Sequence, residues 1–365
     1  MMCQRILALV TLAALPLAQA GEAVTLRTDT SRALVPIDEI VSGGPPPDGI
    51  PAIDRPAFVT PAAAAAWLAA REPVLALEVK GDARAYPLQI LMWHEIVNDV
   101  VGGVPVTVTF CPLCNSGIAF ERTVDGTTLD FGTSGKLYQS DLVMYDRQSH
   151  SLWAQMEGRA IVGARAGARL GLIPANTLSF EEWRASQPAG KVLSRDTGYS
   201  RSYGMNPYES YDQPRLGPFL FRGKLDPRRP PKERVVGIKL GEVARAYPWP
   251  VLAERRVVHD RLGDQDLVIL YRPGTLSALD APEIQRSRAV GATGAFRRVL
   301  ESRVLTFEAT GEVFRDRETG SSWTLLGHAV KGPLAGRRLA AVPHIDAFWF
   351  AWAALNPTTT VYADR

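Results

Sequence analysis

The sequence is poor in cysteine, has little excess of either charge and contains one long apolar run. Three of the 365 residues are cysteine, too few for a core that is held together by disulfides. Basic residues exceed acidic residues by three, a balance too close to neutral to predict nucleic acid or an anionic membrane as a partner. After the first 20 residues no apolar stretch approaches the roughly 20 residues that span a bilayer, so no integral membrane span is predicted.

The apolar run itself has the features of a secretory signal peptide. Arg5 precedes the run ILALVTLAALPLA, and an A-x-A cleavage pattern ends at Ala20. Cleavage there removes Cys3 and a single charged residue, Arg5, which leaves 40 basic and 38 acidic side chains and a net charge of +2. We therefore expect residues 1–20 to be a signal peptide and the mature protein to be periplasmic or secreted.

The remainder of the chain contains an internal repeat. The string ARAYP at 83–87 recurs at 244–248, a shift of 161 residues, and further matches follow in the same order at shifts between 169 and 176. Each unit is long enough to enclose a core of its own. We predict two diverged tandem copies of one unit in a pseudo-two-fold arrangement. The predicted divisions are an N-terminal extension at 21–71, a first unit at 72–195, a Tyr/Pro/Arg-rich linker at 196–232 and a second unit at 233–365.

The apolar patterns within a unit predict an α+β fold that is predominantly antiparallel β. Glycine-containing turns at 80–82 and 125–126 lie between strand-like runs and predict hairpins. The string LQILMWHEIVNDVV has helical spacing, whereas VPVTVTF alternates as a strand does. A further short helix is predicted to begin after Thr177 or Ser179, either of which can cap it, and to end at Pro188.

Cys111 and Cys114, the two cysteines that remain after cleavage, form a Cys-x-x-Cys motif in the first unit only. At the shift of 161 residues they face Arg272 and Thr275, so this chemistry was gained in one copy or lost from the other. A Cys-x-x-Cys that follows a strand resembles the active turn of thiol-disulfide oxidoreductases, although no helix is evident after it. Three interpretations are open: a redox pair, a site for a soft metal and a structural disulfide.

His94 and Glu95 are lost from the second unit together with the thiols, since arginines stand at the matching positions. We predict that His94 or Glu95 assists proton transfer at Cys111 and Cys114, which makes all four candidate catalytic residues. In the alternative metal site, the ligands are Cys111, Cys114 and His94, because copper and zinc accept mixed sulfur and imidazole ligands. A third interpretation makes His94 a core histidine that is hydrogen-bonded to a backbone carbonyl.

The segment 132–147 of the first unit is six residues longer than its counterpart, because the shift changes from 176 to 170 across it. A Gly-Ser-Gly turn in a hairpin explains its glycines, and no complete phosphate-binding Walker pattern is present. Its polar residues are candidates for lining the cysteine site and binding a substrate there. They are Ser134, Lys136, Ser140, Asp141 and Tyr145.

Six strings occur in a fixed order along nearly the whole mature chain: WHEIVND, TFCPLCNSGIAF, DFGTSGKLYQSDLVMYDRQS, SLWAQ, DTGYSRSYGMNPY and PPKERVVGI. As a set they resemble a bacterial family known as domain of unknown function 3179. Some members of that family look like selenoproteins, with selenocysteine in the motif that matches FCPLC. The resemblance therefore implies redox chemistry at Cys111 or Cys114.

These observations predict an exported protein whose cysteine pair cycles between dithiol and disulfide. Cys111 would attack and Cys114 would resolve the mixed disulfide, with a protein or a small molecule as the redox partner. The alternatives are a binding protein for copper or zinc that catalyses nothing, and a scaffold in which the two cysteines form a tight disulfide.

Overall fold

The computed structural model describes residues 24–362 of the chain. The signal peptide predicted at 1–20 lies outside the described residues. Strands predominate over short helices, and almost all strand pairs are antiparallel, which confirms the predicted α+β class with mostly antiparallel sheets. The helices are α1 (Pro61–Ala64), α2 (Leu88–His94), α3 (Phe180–Ser186), α4 (Trp249–Arg255) and α5 (Trp349–Leu355), with 3-10 turns at Ile37–Glu39 and Ile284–Arg286.

The strands of the first part of the chain lie between residues 40 and 193. They are β1 (Ile40–Ser42), β2 (Phe58–Val59), β3 (Pro73–Val79), β4 (Asp82–Pro87), β5 (Ile96–Val101), β6 (Val104–Cys111), β7 (Ser116–Glu121), β8 (Thr123–Val124), β9 (Thr127–Thr128), β10 (Phe131–Tyr138), β11 (Asp141–Asp146), β12 (Leu152–Ala154), β13 (Arg159–Val162), β14 (Gly171–Ile173), β15 (Ala175–Ser179) and β16 (Lys191–Leu193).

The strands of the second part lie between residues 234 and 361. They are β17 (Arg234–Leu240), β18 (Val243–Pro248), β19 (Val257–Leu262), β20 (Gln265–Arg272), β21 (Ala292–Arg297), β22 (Val299–Leu300), β23 (Arg303–Val304), β24 (Phe307–Thr310), β25 (Val313–Asp316), β26 (Ser322–Trp323), β27 (Ala329–Lys331), β28 (Ile345–Phe348) and β29 (Thr360–Val361).

Three sheets form in each part of the chain. In the first part their strand orders are β15-β3-β4-β16-β2, β14-β7-β6-β5 and β1-β10-β11-β12-β13; in the second part they are β28-β17-β18-β29, β19-β20-β21 and β24-β25-β26-β27. The pairs β4–β16 and β18–β29 are parallel. The hairpins predicted at 80–82 and 125–126 are present as β3–β4 and β8–β9.

The string LQILMWHEIVNDVV forms a helix only in its first half. Helix α2 ends at His94, Glu95 has a positive φ of 57°, and β5 begins at Ile96. The second half pairs residue by residue with β6, from Ile96 opposite Thr109 to Val101 opposite Val104. The prediction of one continuous helix was therefore wrong, because sheet pairing overrides a helical apolar spacing in this short segment.

The largest hydrophobic core joins the two parts of the chain around the cysteines. It contains Cys111 and Cys114 together with Ala347 and Phe348 of β28. The backbone N–H of Phe348 donates to the carbonyl oxygen of Cys114 at 2.9 Å. The cysteine turn consequently lies where the two parts of the chain meet.

The segment 196–232, predicted as a linker, contains no helix or strand but is fixed by its aromatic residues. Tyr203, Tyr208, Tyr211 and Phe221 pack against the core that contains the cysteines. Within residues 24–362, no helix has the length and apolarity to cross a membrane.

Candidate functional site

The Cys-x-x-Cys motif forms the turn between two antiparallel strands. Cys111 is the last residue of β6 and pairs with Ser116, the first residue of β7. Asn115 closes the turn with a positive φ of 52° and donates its backbone N–H to the carbonyl of Pro112 at 3.3 Å. Since no helix begins at this turn, the thiols have no helix N-terminus to stabilise a thiolate, unlike the cysteines of thioredoxin-like folds.

Both cysteines are buried free thiols. Cys111 is 1% exposed and Cys114 is 0% exposed, and no disulfide joins them. The Cys114 thiol donates to the carbonyl oxygen of Ser140 at 3.5 Å and to Oδ1 of Asp141 at 3.6 Å. Burial, followed by the hydrogen bond with Cys111 and the negative charges nearby, raises the pKa of Cys114 well above its ordinary value. Cys114 is therefore the thiol that keeps its proton.

A lengthened hairpin brings Asp141 to the thiols. Beyond a bulge after Thr133, β10 and β11 pair from Lys136 opposite Val143 to Tyr138 opposite Asp141. The Asp141 carboxyl group is 1% exposed and accepts the backbone N–H of Met156 at 2.9 Å. Burial raises its pKa to about 7, so near neutral pH this carboxyl group can both accept and return a proton.

Glu95 is a second buried carboxyl group beside the thiols. It follows the last residue of α2, and its carbonyl oxygen accepts the backbone N–H of Phe110 at 2.8 Å, next to Cys111 in the chain. Its side chain belongs to a residue that is 7% exposed. Burial, and then the negative charge of Asp141, raise its pKa to about 8. Glu95 is therefore mainly a neutral acid at pH 7, able to donate a proton.

His94 lies in a separate set of hydrogen bonds. Its Nδ1 is 2.7 Å from the carbonyl oxygen of Pro51, which can only accept, so Nδ1 carries the proton. Its Nε2 is 2.6 Å from the hydroxyl of Tyr203 and is left as the acceptor. Burial lowers the His94 pKa, in keeping with a neutral ring. Both ring nitrogens are therefore engaged, one of them with a backbone carbonyl as one of our interpretations required.

The other candidates of segment 132–147 lie at different distances from the chemistry. Ser134 donates to Val143 at 2.5 Å and supports the bulge, while Tyr145 donates to Asp48 at 2.6 Å. Lys136 is directly opposite Val143, whose side chain packs in a cluster with Tyr145. Since opposite residues share a face, the Lys136 side chain lies on that face. Ser140 contributes its carbonyl to Cys114 and its hydroxyl to the carbonyl of Phe219.

A cavity of about 310 Å³ adjoins the thiols, near the lower end of the range for small-molecule sites. The sulfurs are not part of its wall, but Leu113, which lies between the two cysteines, and Glu95 are. Most of the lining is apolar or backbone. It comprises Gly43, Pro45, Ile50, Glu95, Leu113, Thr133, Gly135, Lys136, Leu137, Leu142, Tyr208, Tyr211 and Phe219.

Two tyrosines of segment 196–232 form a side of this cavity that the sequence did not predict. Burial, then the charges of Glu95 and Cys111, raise the pKa of Tyr208 far above its ordinary value. Burial likewise raises the pKa of Tyr211, with the charges of both cysteines contributing. Their hydroxyls therefore stay protonated. The density of tyrosine in this segment was the only available signal.

One group of residues could hold a metal ion among those described. The sulfurs of Cys111 and Cys114 and a carboxylate oxygen of Asp141 all lie within 4.8 Å of one another, and all three residues are buried. The group contains Asp141 where the sequence had suggested His94. Two thiolates and a carboxylate can bind zinc and leave a fourth position open.

The comparison with protein families agrees with the motifs around this site. A family model described as "Protein of unknown function (DUF3179)" matches residues 47–359. No curated protein and no solved structure matches the chain. Because the match covers well over half of the sequence and includes the cysteine turn, the hairpin and the tyrosine segment, the resemblance is confirmed: the chain belongs to the DUF3179 family of proteins of unknown function.

Proposed function

We propose that the protein is an exported thiol redox enzyme whose Cys111–Cys114 pair cycles between dithiol and disulfide. One observation carries the proposal: two free thiols and the Asp141 carboxyl group lie within 4.8 Å of one another, beside a cavity. Buried thiols need a nearby group that accepts protons at neutral pH before they can react. Glu95 and Asp141, whose pKa values are raised to about 8 and about 7, are suited to that role.

The contacts favour Cys111 as the attacking thiol and Cys114 as the resolving thiol. The hydrogen bond between the two cysteines raises the pKa of Cys114, so Cys114 acts as the donor and Cys111 as the acceptor. Glu95 is linked through its backbone to the strand end at Cys111, whereas Cys114 contacts Asp141 directly. Asp141 therefore takes over the proton-transfer role that we had expected of His94.

The reaction transfers two electrons from the dithiol to a substrate X–Y. Cys111 attacks X, the X–Y bond breaks, and Y leaves with a proton from Glu95, which takes up the proton of Cys111. Cys114 then gives its proton to Asp141 and attacks the Cys111 sulfur, so that an S–S bond forms and X leaves with that proton. The products are the disulfide, XH and YH. An external dithiol must reduce the pair again.

A redox titration of the mature chain, residues 21–365, tests the proposal. The protein is equilibrated in dithiothreitol buffers of graded potential, free thiols are trapped by alkylation, and intact mass reports the disulfide. We expect a midpoint between about −300 and −120 mV, the range of catalytic pairs. A Cys114→Ser variant should retain a mixed disulfide at Cys111, and Cys111→Ser should not. If the pair remains a dithiol throughout, or if both variants react alike, the proposal is wrong.

The grouping of Cys111, Cys114 and Asp141 also favours a second candidate function, binding of zinc or copper without catalysis. An anaerobic titration of the reduced protein with Zn²⁺ or Cu⁺, followed by gel filtration and elemental analysis, distinguishes the two. Stoichiometric metal that is lost in Cys111→Ser and weakened in Asp141→Asn supports binding. A protein that retains no metal but shows the redox midpoint supports the enzyme.

We also propose that the two units derive from one ancestral unit. The order of strand, strand, helix and three strands in β3 to β7 with α2 recurs in β17 to β21 with α4. Arg84, Tyr86 and Asp99 form a hydrogen-bonded group, and their sequence counterparts in the second unit do the same. A residue-by-residue superposition of the two units, giving the rotation between them, tests the predicted pseudo-two-fold axis.

A further inference from the structure

The burial of the sulfurs limits what can react with them. Both are almost fully buried, and the cavity wall beside them is formed by Leu113 and Glu95. A disulfide on a protein surface cannot reach sulfurs in this position. A reactant must instead place its body in the cavity and pass only a small terminal group to Cys111 between these two side chains.

The cavity favours a neutral, apolar body. Five of its lining residues are purely hydrocarbon or aromatic: Ile50, Leu113, Leu137, Leu142 and Phe219. The strand register turns the Lys136 side chain to the opposite face, so its ammonium group does not balance a bound anion. Glu95 is the remaining side chain with an acidic proton in the wall, apart from the tyrosines, and no described residue donates a hydrogen bond to its carboxyl group. It is free to contact a bound molecule.

We propose that this cavity binds the apolar body of an organic hydroperoxide and that the cysteine pair reduces it to the alcohol. This inference rests on the dithiol function proposed above. Among two-electron oxidants, a hydroperoxide has a terminal reactive atom and carries its bulk on one side only. In a disulfide or a quinone the reactive atom has substituents on both sides, which the narrow approach between Leu113 and Glu95 excludes.

The proposed reaction balances without a further reactant. The Cys111 sulfur attacks the terminal oxygen of R–O–O–H, the O–O bond breaks and Cys111 becomes a sulfenic acid. Glu95 donates its proton to the leaving alkoxide and takes up the proton of Cys111, so R–O–H is released. Cys114 passes its proton to Asp141 and attacks Cys111. The hydroxide that leaves takes this proton and becomes water, and the pair is left as a disulfide.

The first experiment compares oxidants of the reduced mature protein under anaerobic conditions. Cumene hydroperoxide, hydrogen peroxide and oxidised glutathione are mixed with it, and alkylation followed by intact mass gives the rate of disulfide formation. We expect cumene hydroperoxide to react at least about tenfold faster than hydrogen peroxide, because burial of two methylene equivalents already corresponds to about tenfold. Phe219→Ala should reduce this preference, whereas Leu216→Ala, at an exposed position outside the cavity, should not.

The second experiment isolates the proton that Glu95 donates. Glu95→Gln should slow oxidation by tert-butyl hydroperoxide by roughly a hundredfold, the lower range of general acid catalysis. It should leave the rate with peroxyacetic acid nearly unchanged, because a carboxylate leaves without a proton. Glu181→Gln, at an exposed site on α3, is the matched control. A purely structural role of Glu95 would slow both oxidants alike.

Two results separate the inference from the function on which it rests. If the redox titration gives a midpoint in the catalytic range but hydrogen peroxide or oxidised glutathione reacts as fast as cumene hydroperoxide, the substrate class is wrong and the dithiol function stands. If no midpoint is found and no oxidant forms the disulfide, both fail together.

Discussion

The two parts of the chain use the same turn for different purposes. After β6, the turn contains Cys111 and Cys114 beside a cavity. After β20, the matching positions are Arg272, whose guanidinium is 3.1 Å from Glu182 of α3, and the buried Thr275. Where the first part carries reactive groups, the second carries an ion pair that fastens it to the first. The comparison shows that this turn does not need thiols in order to fold.

The hairpin beside each turn differs in length. Strands β10 and β11 contain eight and six residues, whereas β24 and β25 contain four each. The additional residues of the first hairpin are those that reach Cys114, with Asp141 at their end. The six-residue difference that the sequence shows is therefore the extension that supplies the second carboxyl group of the site.

Backbone features that recur in both parts belong to the fold. Glu95 and Arg256 both follow a helix with positive φ values of 57° and 64°, and both accept a backbone N–H from the next strand pair at 2.8 Å. The unusual conformation of Glu95 is thus inherited with the framework, and only its side chain is specific to the candidate site.

The largest expected effect tests whether the shared framework is equally important in both parts. Asp146 accepts hydrogen bonds from Trp153 Nε1 at 2.9 Å and from Ser149, and Asp316 does the same for Trp323 at 2.8 Å. Alanine at either position leaves a buried indole N–H without an acceptor. We expect each variant to lose about 2–4 kcal/mol in the free energy of unfolding, measured by urea denaturation.

The exposed Asp196→Ala provides the control for this measurement and should change the stability little. A loss at Asp146 with none at Asp316 would show that the second part does not depend on the same bonds.

A smaller difference is expected at the buried arginine pairs. Asp99 contacts Arg84 at 2.6 Å with side-chain exposures of 6% and 11%, whereas Asp260 and Arg245 are 14% and 26% exposed. Because solvent screens the second pair more, Asp99→Asn should cost about 2–3 kcal/mol and Asp260→Asn about 1 kcal/mol. Equal losses in thermal or urea unfolding would contradict the difference in burial.

The smallest effect concerns pH and separates Glu95 from Arg256. The folded-state pKa of Glu95, about 8, lies above its ordinary value of 4.5, so the native state binds more protons between these values. Its contribution to stability is therefore complete below about pH 4.5 and is lost as the pH rises towards 8. Relative to Glu95→Gln, the wild type should lose about 1–2 kcal/mol between about pH 6 and pH 8.

Arg256→Gln is the matched control, since arginine does not titrate in this range. Its stability relative to the wild type should not change with pH. A flat difference for Glu95→Gln as well would show that the Glu95 carboxyl group is ionised in the folded state.

Local signals in the sequence predicted the local structure well. The helix expected after Thr177 or Ser179 is α3, and the Ser179 hydroxyl accepts the backbone N–H of Glu182 at 3.3 Å. Hairpins were predicted from glycine turns because turn geometry depends on a few adjacent residues. The break at Glu95 was missed because it results from pairing with β6, which no local pattern encodes.

The site was predicted in part for a similar reason. Its thiols, Glu95 and Asp141 were all identified from what one unit has and the other lacks. The choice of His94 over Asp141 as the neighbour of the sulfurs could not be corrected from the sequence, since it depends on how far the hairpin reaches. Tyr208 and Tyr211 approach from a segment about a hundred residues away, and their position follows from tertiary packing alone.

The hydrogen bond from Phe348 to the carbonyl of Cys114 gives the catalytically silent half a task. It crosses from one gene segment's product to the other, so a truncated protein ending near residue 230 would present its cysteines to solvent, without their lid or their neighbouring strand. Evolution could then discard thiols from the later copy, but not the copy itself. The doubled chain behaves as an enzyme and its permanently attached chaperone.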